Sequence, residues 1–364
     1  MSVPANVLKE AIARVVDAAS LPEQMAYDAM ASIMEGQATP AQLGALLVGL
    51  RMKGETVEEL TGFARAMRER CALIRPEVAG RLTDTCGTGG AAIKTFNVST
   101  LSAFIAAGAG IPVAKHGNRA VTSKCGSADV LEALGANLAL EPERVKRVIE
   151  SVGVGFLFAP NFHPAMRHAV GPRRELGIRT VFNILGPLTN PAGATGQVLG
   201  VYHPSLVPKM TQVLANLGVQ EALVVHGEGG LDEVSPFGPT RVGRVHEGRV
   251  SYFSVNPEEF GFERVTPADV VGGDPKESAE IFLRVLAAEN GARANTALMN
   301  AAAAAVVGGK AKDLKEGVSV ARESVVSGRA YEKLKGFVRA TGGELLDHVE
   351  DQSRPARRDG VAGA

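Results

Sequence analysis

The chain has 364 residues, of which 45% are hydrophobic, and its 39 basic and 39 acidic side chains cancel. That length holds a large domain and a smaller one, and the neutral balance steers the molecule toward neither nucleic acid nor a membrane surface. Three cysteines, Cys71, Cys86 and Cys125, lack CxxC spacing, so no zinc site is expected, and their odd number fits a reducing, cytoplasmic compartment. No basic segment precedes an apolar one at the start, and no uncharged apolar run reaches spanning length, so neither a secretory signal nor a membrane span is expected.

The first ~75 residues read as helices only. Leu8, Ile12, Val15 and Val16 repeat at helical spacing. Thr39, Pro40 and Gln42 form a capping box with proline at the first helical position, and Gly54 supplies the stop. Thr56 and Glu59 form a second box, and Leu60, Phe63, Ala64 and Met67 continue that helix's apolar face. A small helical-bundle domain over residues 1–78 is expected.

From Leu82 short apolar runs alternate with helical patterns. Strands are expected over Leu82–Cys86, Ile111–Lys115, Gly155–Phe158, Val198–Tyr202 and Ala222–His226. Helices are expected over Leu101–Ala107, Ala128–Leu134, Pro142–Ser151 and Leu206–Leu217. This alternation predicts an α/β domain with a mainly parallel central sheet and surrounding helices, over residues 79–350. Arg241–His246 and Arg249–Val255, joined by Glu247-Gly248, read as a hairpin. Helices follow over Lys276–Glu289, capped by Asp274, and over the Ala-rich Asn295–Val307; the polar stretch 351–364 is expected to be disordered.

Four stretches carry chemistry. "DTCGTGGAAIKTFNVST" places Gly87, Gly89 and Gly90 after a strand and before a helix expected just past Ser99-Thr100. Free N–H groups and the helix dipole favour a phosphate there; Thr95, Asn97, Ser99 and Thr100 add donors, and Lys94 adds charge. A tight turn with an ordinary N-cap is the alternative. "KHGNRAVTSKCGSADVLEALG" begins at the next strand's carboxyl end, where ligands sit in open sheets. Lys115, Arg119 and Lys124 suit a phosphate there, Ser127 would cap the next helix, and a solvated loop is the alternative.

The third stretch, "FLFAPNFHPAMRHAVGPRRELGIRTVFNILGPLTNPAG", has a helix expected from His163-Pro164 and cationic density at Arg167, Arg173, Arg174 and Arg179. It ends in a segment too rich in Pro, Gly and Asn for plain helix or strand, which suggests a shaped loop near a ligand or partner. In "VVHGEGGLDEVSP" a strand gives way to glycines and the pair Asp232-Glu233, which suits Mg²⁺ completed by water and substrate phosphates, or else is plain surface charge.

"GTGG", "NVST", "KHGNRAV", "GSADVLEALG", "HPAMR", "LGIRTVFNILGPLTNP" and "DEVSP" together resemble the anthranilate phosphoribosyltransferases, enzymes of tryptophan biosynthesis with the class III phosphoribosyltransferase fold. The resemblance runs to about residue 345 and implies a small helical domain, joined by helices near 164–180, above a large α/β domain. It implies a homodimer associating through the helical domain. It also implies transfer of phosphoribose from phosphoribosyl diphosphate to the amine of anthranilate.

By resemblance, phosphoribosyl diphosphate is held by Gly87, Gly89, Gly90, Ala91, Lys94, Thr95, Asn97, Val98, Ser99, Thr100, Lys115, Arg119, Ser123 and Ser127. Anthranilate meets Gly87, Asn118, His163 and Arg173, and Mg²⁺ meets Ser99, Asp232 and Glu233. No catalytic base is assigned; His163 is the one weak candidate. The chain departs from the family where Ala91 and Ala92 replace the usual Asp-Gly, Lys94 replaces a small residue and Cys125 replaces serine. The alternatives are a pyrimidine nucleoside phosphorylase, against which "KHGNR" and "NILGPLTNP" speak, or an altered homologue that uses another substrate or binds nucleic acid.

Overall fold

The computed structural model describes residues 6–120 and 123–345. The tail expected to be disordered, and Val121 and Thr122 of the second polar loop, lie outside them.

Helices α1 (Val7–Val16), α2 (Glu23–Met34), α3 (Pro40–Lys53) and α4 (Val57–Glu69) form the N-terminal bundle. Both expected capping boxes are present, at Thr39/Gln42 and Thr56/Glu59. Gly54 ends α3 at φ +82, its N–H bonded to Leu50 O.

The sheet follows as β1 (Thr83–Gly87), α5 (Val98–Gly108), β2 (Val113–Gly117), α6 (Ser127–Ala133), α7 (Pro142–Val152) and β3 (Val154–Phe158). Next come the short α8 (Ala159–Phe162), a 3₁₀ turn at Pro164–Met166, α9 (Arg167–Leu176) and α10 (Phe182–Leu185), then β4 (Gly196–Gly200), α11 (Leu206–Asn216) and β5 (Glu221–Gly227). The hairpin β6 (Thr240–His246) and β7 (Arg249–Val255) precedes α12 (Pro275–Leu286), α13 (Ala292–Val307), α14 (Leu314–Val326) and α15 (Arg329–Ala340). The strand order is β3-β2-β1-β4-β5-β6-β7. β1 to β5 pair in parallel, and the hairpin adds two antiparallel strands.

Several boundaries differ from expectation. β4 begins at Gly196 because the polar Gln197, hidden from an apolar pattern, is buried and bonds Pro187 O. α5 begins at Val98, before Ser99 and Thr100. Ser127 is not a cap: α6 starts at it, the Ser127 hydroxyl accepts from Thr100, and Asp129 takes the Gly126 N–H. The helix expected at His163-Pro164 begins at Arg167 instead, after the 3₁₀ turn.

One face of the sheet is covered by α5, α13 and α15, whose core includes Phe104, Ala302 and Phe337, and α14 packs on α13 behind them. The other is continuous with the bundle: Leu47, Phe63 and Met67 share a core with Leu199, Val224 and Met210. Ala169 of α9 is buried in that same core, and α9 packs on α2 and α3.

Candidate active site

From β1 the chain winds outward through β2 and β3, then returns to place β4 on β1's other side. Such a reversal opens a crevice at the strands' carboxyl ends, and the candidate residues gather there.

Gly87 ends β1 and pairs with Gly200, which ends β4. A side chain at either would collide with Asp232, at Gly200 with its backbone and at Gly87 with its carboxylate. A Cβ on Gly200 would stand 1.6 Å from Asp232 O, and one on Gly87 would stand 2.5 Å from Asp232 Oδ2. The two glycines thus admit the acidic loop onto the sheet edge. Gly89 N–H donates to Asp232 Oδ2 at 2.8 Å, and Thr95 Oγ1 donates to Glu233 Oε2 at 3.0 Å. Thr88 stitches the glycine loop to β4: its N–H donates to Gly200 O at 2.9 Å, and its hydroxyl accepts from Tyr202 N at 3.1 Å.

A cavity of about 370 Å³ opens above this edge. Its walls include Gly87, Gly89, Gly90, Ala91, Lys94, Thr95, Asn97, Ser99, Lys115, Arg119, Ser123, Ser127, Asp232 and Glu233. Val98 and Thr100 are not among them. Val98 lies in the core, and Thr100 is buried with its hydroxyl on Ser127. Lys124 is exposed and also outside the walls.

Two of the expected cations are already engaged. Lys115 is buried and donates to Thr85 O and, at 3.2 Å, to Ser99 Oγ. Burial draws its pKa down, opposed by Asp84, Cys86 and Glu233. Arg119 pairs with Glu132 at 2.6 Å and lies over Phe158. Lys94 is exposed and donates to Ala91 O at 2.8 Å.

Burial pushes the Asp232 carboxyl up, while the Gly89 N–H and the Lys94 charge pull it back. Glu233 stands well above the carboxylate range, first through burial and then through its neighbour Asp232. Two such carboxyls beside a hydroxyl are a fitting donor set for Mg²⁺ when substrate oxygens complete the shell. Among the described residues no three His, Cys, Asp or Glu side chains form an all-protein cage.

A second cavity of about 400 Å³ adjoins the first, and His116 and Asn118 line both. His163, Arg173, Phe182, Gly186 and Thr189 line the second; Gly87 does not. Arg173 is half-buried, 5.0 Å over the Phe182 ring, and burial lowers its pKa. The His116 and His163 rings lie 5.1 Å apart. Burial drops His116 to about 3, helped by His163, and drops His163 to about 4; backbone hydrogen bonds to Gly186 and Thr189 resist. A histidine at about 4 is neutral at working pH and a poor proton acceptor, so His163 fits the wall of a ligand tunnel better than a base.

Beneath the floor, Asp84 ties three motifs together. Its carboxylate accepts from Asn190 Nδ2 at 2.8 Å and from His116 N at 3.1 Å, and Asn190 also donates to Ala114 O. Sequence reasoning did not single out His116, Asn183 or Tyr202, and it read Arg179 only as charge density, yet all four line the first cavity. The usable signal was position: Tyr202 stands at a strand's carboxyl end and His116 lies inside the quoted "KHGNR".

Residues 9–71 match the "Glycosyl transferase family, helical bundle domain" and residues 79–331 the "Glycosyl transferase family, a/b domain". The chain is 52% identical over 336 residues to the anthranilate phosphoribosyltransferase of Pelotomaculum thermopropionicum, covering 92% of this chain and 97% of that one. The chain belongs to the anthranilate phosphoribosyltransferase family. The crystal structure of the Thermus thermophilus enzyme matches with a TM-score of 0.86 at 44% identity, covering 91% of this chain and 99% of that one. The Saccharomyces cerevisiae enzyme, solved in complex with PRPP and Mg, matches with a TM-score of 0.84 at 30% identity over 93% of this chain and 99% of that one. The same yeast enzyme has been solved in complex with 4-fluoroanthranilate. The chain is therefore a glycosyltransferase of tryptophan biosynthesis with the family's transferase activity, rather than a pyrimidine nucleoside phosphorylase.

Proposed function

We propose that the first cavity holds phosphoribosyl diphosphate and the second holds anthranilate, with the two reacting where His116 and Asn118 border both. The observation that carries this reading is the meeting of a glycine loop and an acidic pair at one sheet edge, next to an aromatic-walled cavity containing Arg173.

In this reading the loop from Gly87 to Ala91 and the residues Lys94, Thr95, Asn97, Ser99, Arg119, Ser123 and Ser127 face the phosphates, while Lys115 braces the floor under Ser99. Asp232 and Glu233, with Ser99, would hold Mg²⁺, which when bound neutralises charge on the departing diphosphate. Arg173 meets the anthranilate carboxylate, whose geometry a guanidinium matches. Its desolvated cation gains most from such a partner.

The anthranilate amine attacks C1 of the ribose as the C1–O bond to diphosphate breaks; diphosphate leaves with the electron pair, and the arylammonium so formed gives its proton to the departing diphosphate or to water. An aromatic amine carries its lone pair without prior deprotonation, so positioning and charge stabilisation supply the catalysis. Neutral His116 and His163 shape the tunnel. The small domain comprises residues 1–78 with α9 joined to it, and a homodimer forms through this domain in a cytoplasmic enzyme.

Purified protein mixed with anthranilate, phosphoribosyl diphosphate and Mg²⁺ should lose anthranilate fluorescence and release diphosphate, both dependent on Mg²⁺. No turnover across wide substrate and Mg²⁺ ranges would overturn the assignment of the two cavities.

A further inference from the structure

Arg179 stands where the two cavities are joined by chain. α9 ends at Gly177, left-handed at φ +62, and the chain turns back toward the glycine loop. The Arg179 guanidinium lies 4.6 Å over the Tyr202 ring and donates through Nη2 to Gly90 O at 3.1 Å. The fit is close: a Cβ on Gly90 would stand 2.7 Å from that nitrogen. Tyr202 is itself bound to the loop through Thr88. A trans peptide sets a carbonyl and the following N–H on opposite sides, so holding Gly90 O also aims the Ala91 N–H. At the ends of the same short span, Arg173 and Phe182 line the second cavity and stack on each other.

We infer that Arg179 is a positioning residue that couples the two substrate sites, holding the diphosphate loop through Gly90 and linking it to the Arg173–Phe182 wall. This rests on the assignment of the cavities above. An aromatic carboxylate that settles Arg173 and Phe182 also settles the segment between them, and with it the carbonyl contact that shapes the loop. Such coupling is reciprocal: each ligand tightens the other by the same factor.

The test is calorimetric titration of the whole protein with phosphoribosyl diphosphate and Mg²⁺, with and without saturating benzoate. Benzoate has the aromatic carboxylate without the amine, so no transfer occurs. In the wild type benzoate should tighten phosphoribosyl diphosphate roughly fivefold or more. In Arg179→Ala the factor should fall toward one. Arg179→Lys, which keeps a cation but not the planar stack, should recover part of it. Tyr202→Leu removes the stack while leaving Arg179 in place and should also weaken the coupling, which guards against an Arg179 variant that fails to fold.

A coupling factor in Arg179→Ala equal to that of the wild type, even with affinity lowered equally in both titrations, would make Arg179 a direct phosphate ligand and overturn the inference. So would a wild type without coupling. A wild type that binds no phosphoribosyl diphosphate would sink the cavity assignment itself, and this inference with it.

Discussion

Lys94 follows the glycine loop, and its ammonium turns back three residues to Ala91 O. Its charge also reaches Asp232 and lowers a carboxyl that burial raises. Ala91 carries no acid here, so Lys94 is the charged side chain that this stretch of the loop itself contributes, beside Arg179 at Gly90 O. Lys94→Ala should raise the KM for phosphoribosyl diphosphate about three- to tenfold, the worth of one charge-assisted contact near solvent, and raise the Mg²⁺ needed for half activity. An unchanged KM would remove Lys94 from substrate binding. The acidic pair sets a pH dependence whose sign follows from its raised pKa values. Between the ordinary carboxylate range and those values the folded chain holds more protons than the unfolded one, so the unliganded protein loses this part of its stability as pH rises. Binding of Mg²⁺ requires the ionised forms and weakens as pH falls. The gain in melting temperature from Mg²⁺ with phosphoribosyl diphosphate should therefore shrink as pH falls toward the ordinary carboxylate range. A gain independent of pH would show that other groups hold the charge. Asp232 and Glu233 were legible because adjacent carboxylates after a strand are a local pattern. Arg179 and Tyr202 were not, because what marks them is a contact across the sheet edge between distant segments.

At the scale of elements, apolar period and capping chemistry located the strands, both boxed helices and the hairpin. The hairpin's Glu247-Gly248 turn has both residues at positive φ, +47 and +78, as a two-residue primed turn requires. Two of the longer helices went unread although a signal was there: Asp313 caps α14 by accepting from Glu316 N, and α15 follows directly. The short α8 and α10 also went unread, and α10 puts one helical turn in the segment expected to be a shaped loop. Val98 shows the opposite limit. The "NVST" motif suggests that all four residues face a ligand, but one turn of helix points them in different directions, and Val98 and Thr100 turn inward. Gly87 is sequence-visible only as a loop former and Gly200 only as part of a strand, yet in the fold the pair is the gap through which the acidic loop reaches the edge. Gly200→Ala would drive a methyl into the Asp232 backbone. The displaced loop should lower kcat/KM on the order of 100-fold, with a stability loss of about 1–3 kcal/mol from overpacking. Activity near wild type would mean that the loop can shift without moving its carboxylates.

The molecule as a whole joins its bundle to its sheet by a continuous apolar core and a few polar ties. Lys209 of α11 donates to Glu55 O, Asn216 donates to Thr61 Oγ1 at 3.4 Å, and Arg68 of α4 bridges twice. In the sequence "ARAMRER" Arg68 looks like a solvated helix arginine; only the packing of α4 against α11 shows otherwise. Burial lowers its pKa to about 10, so it remains charged at neutral pH. Its Nε donates to Leu188 O at 2.6 Å and its Nη1 to Leu217 O at 3.3 Å. Leu188 lies between Gly186 and Thr189, which line the second cavity and hold His116 and His163. The bundle therefore braces the proposed anthranilate side of the site from behind. Arg68→Met keeps the apolar stem but leaves both carbonyls without this donor, at about 2–3 kcal/mol in denaturant unfolding. Because the brace reaches the second cavity and not the glycine loop, the KM for anthranilate should rise more than the KM for phosphoribosyl diphosphate. Equal changes in the two constants would show that the loop holds its own shape through the Thr189–Gly186 hydrogen bond, leaving Arg68 only the joining of the two domains.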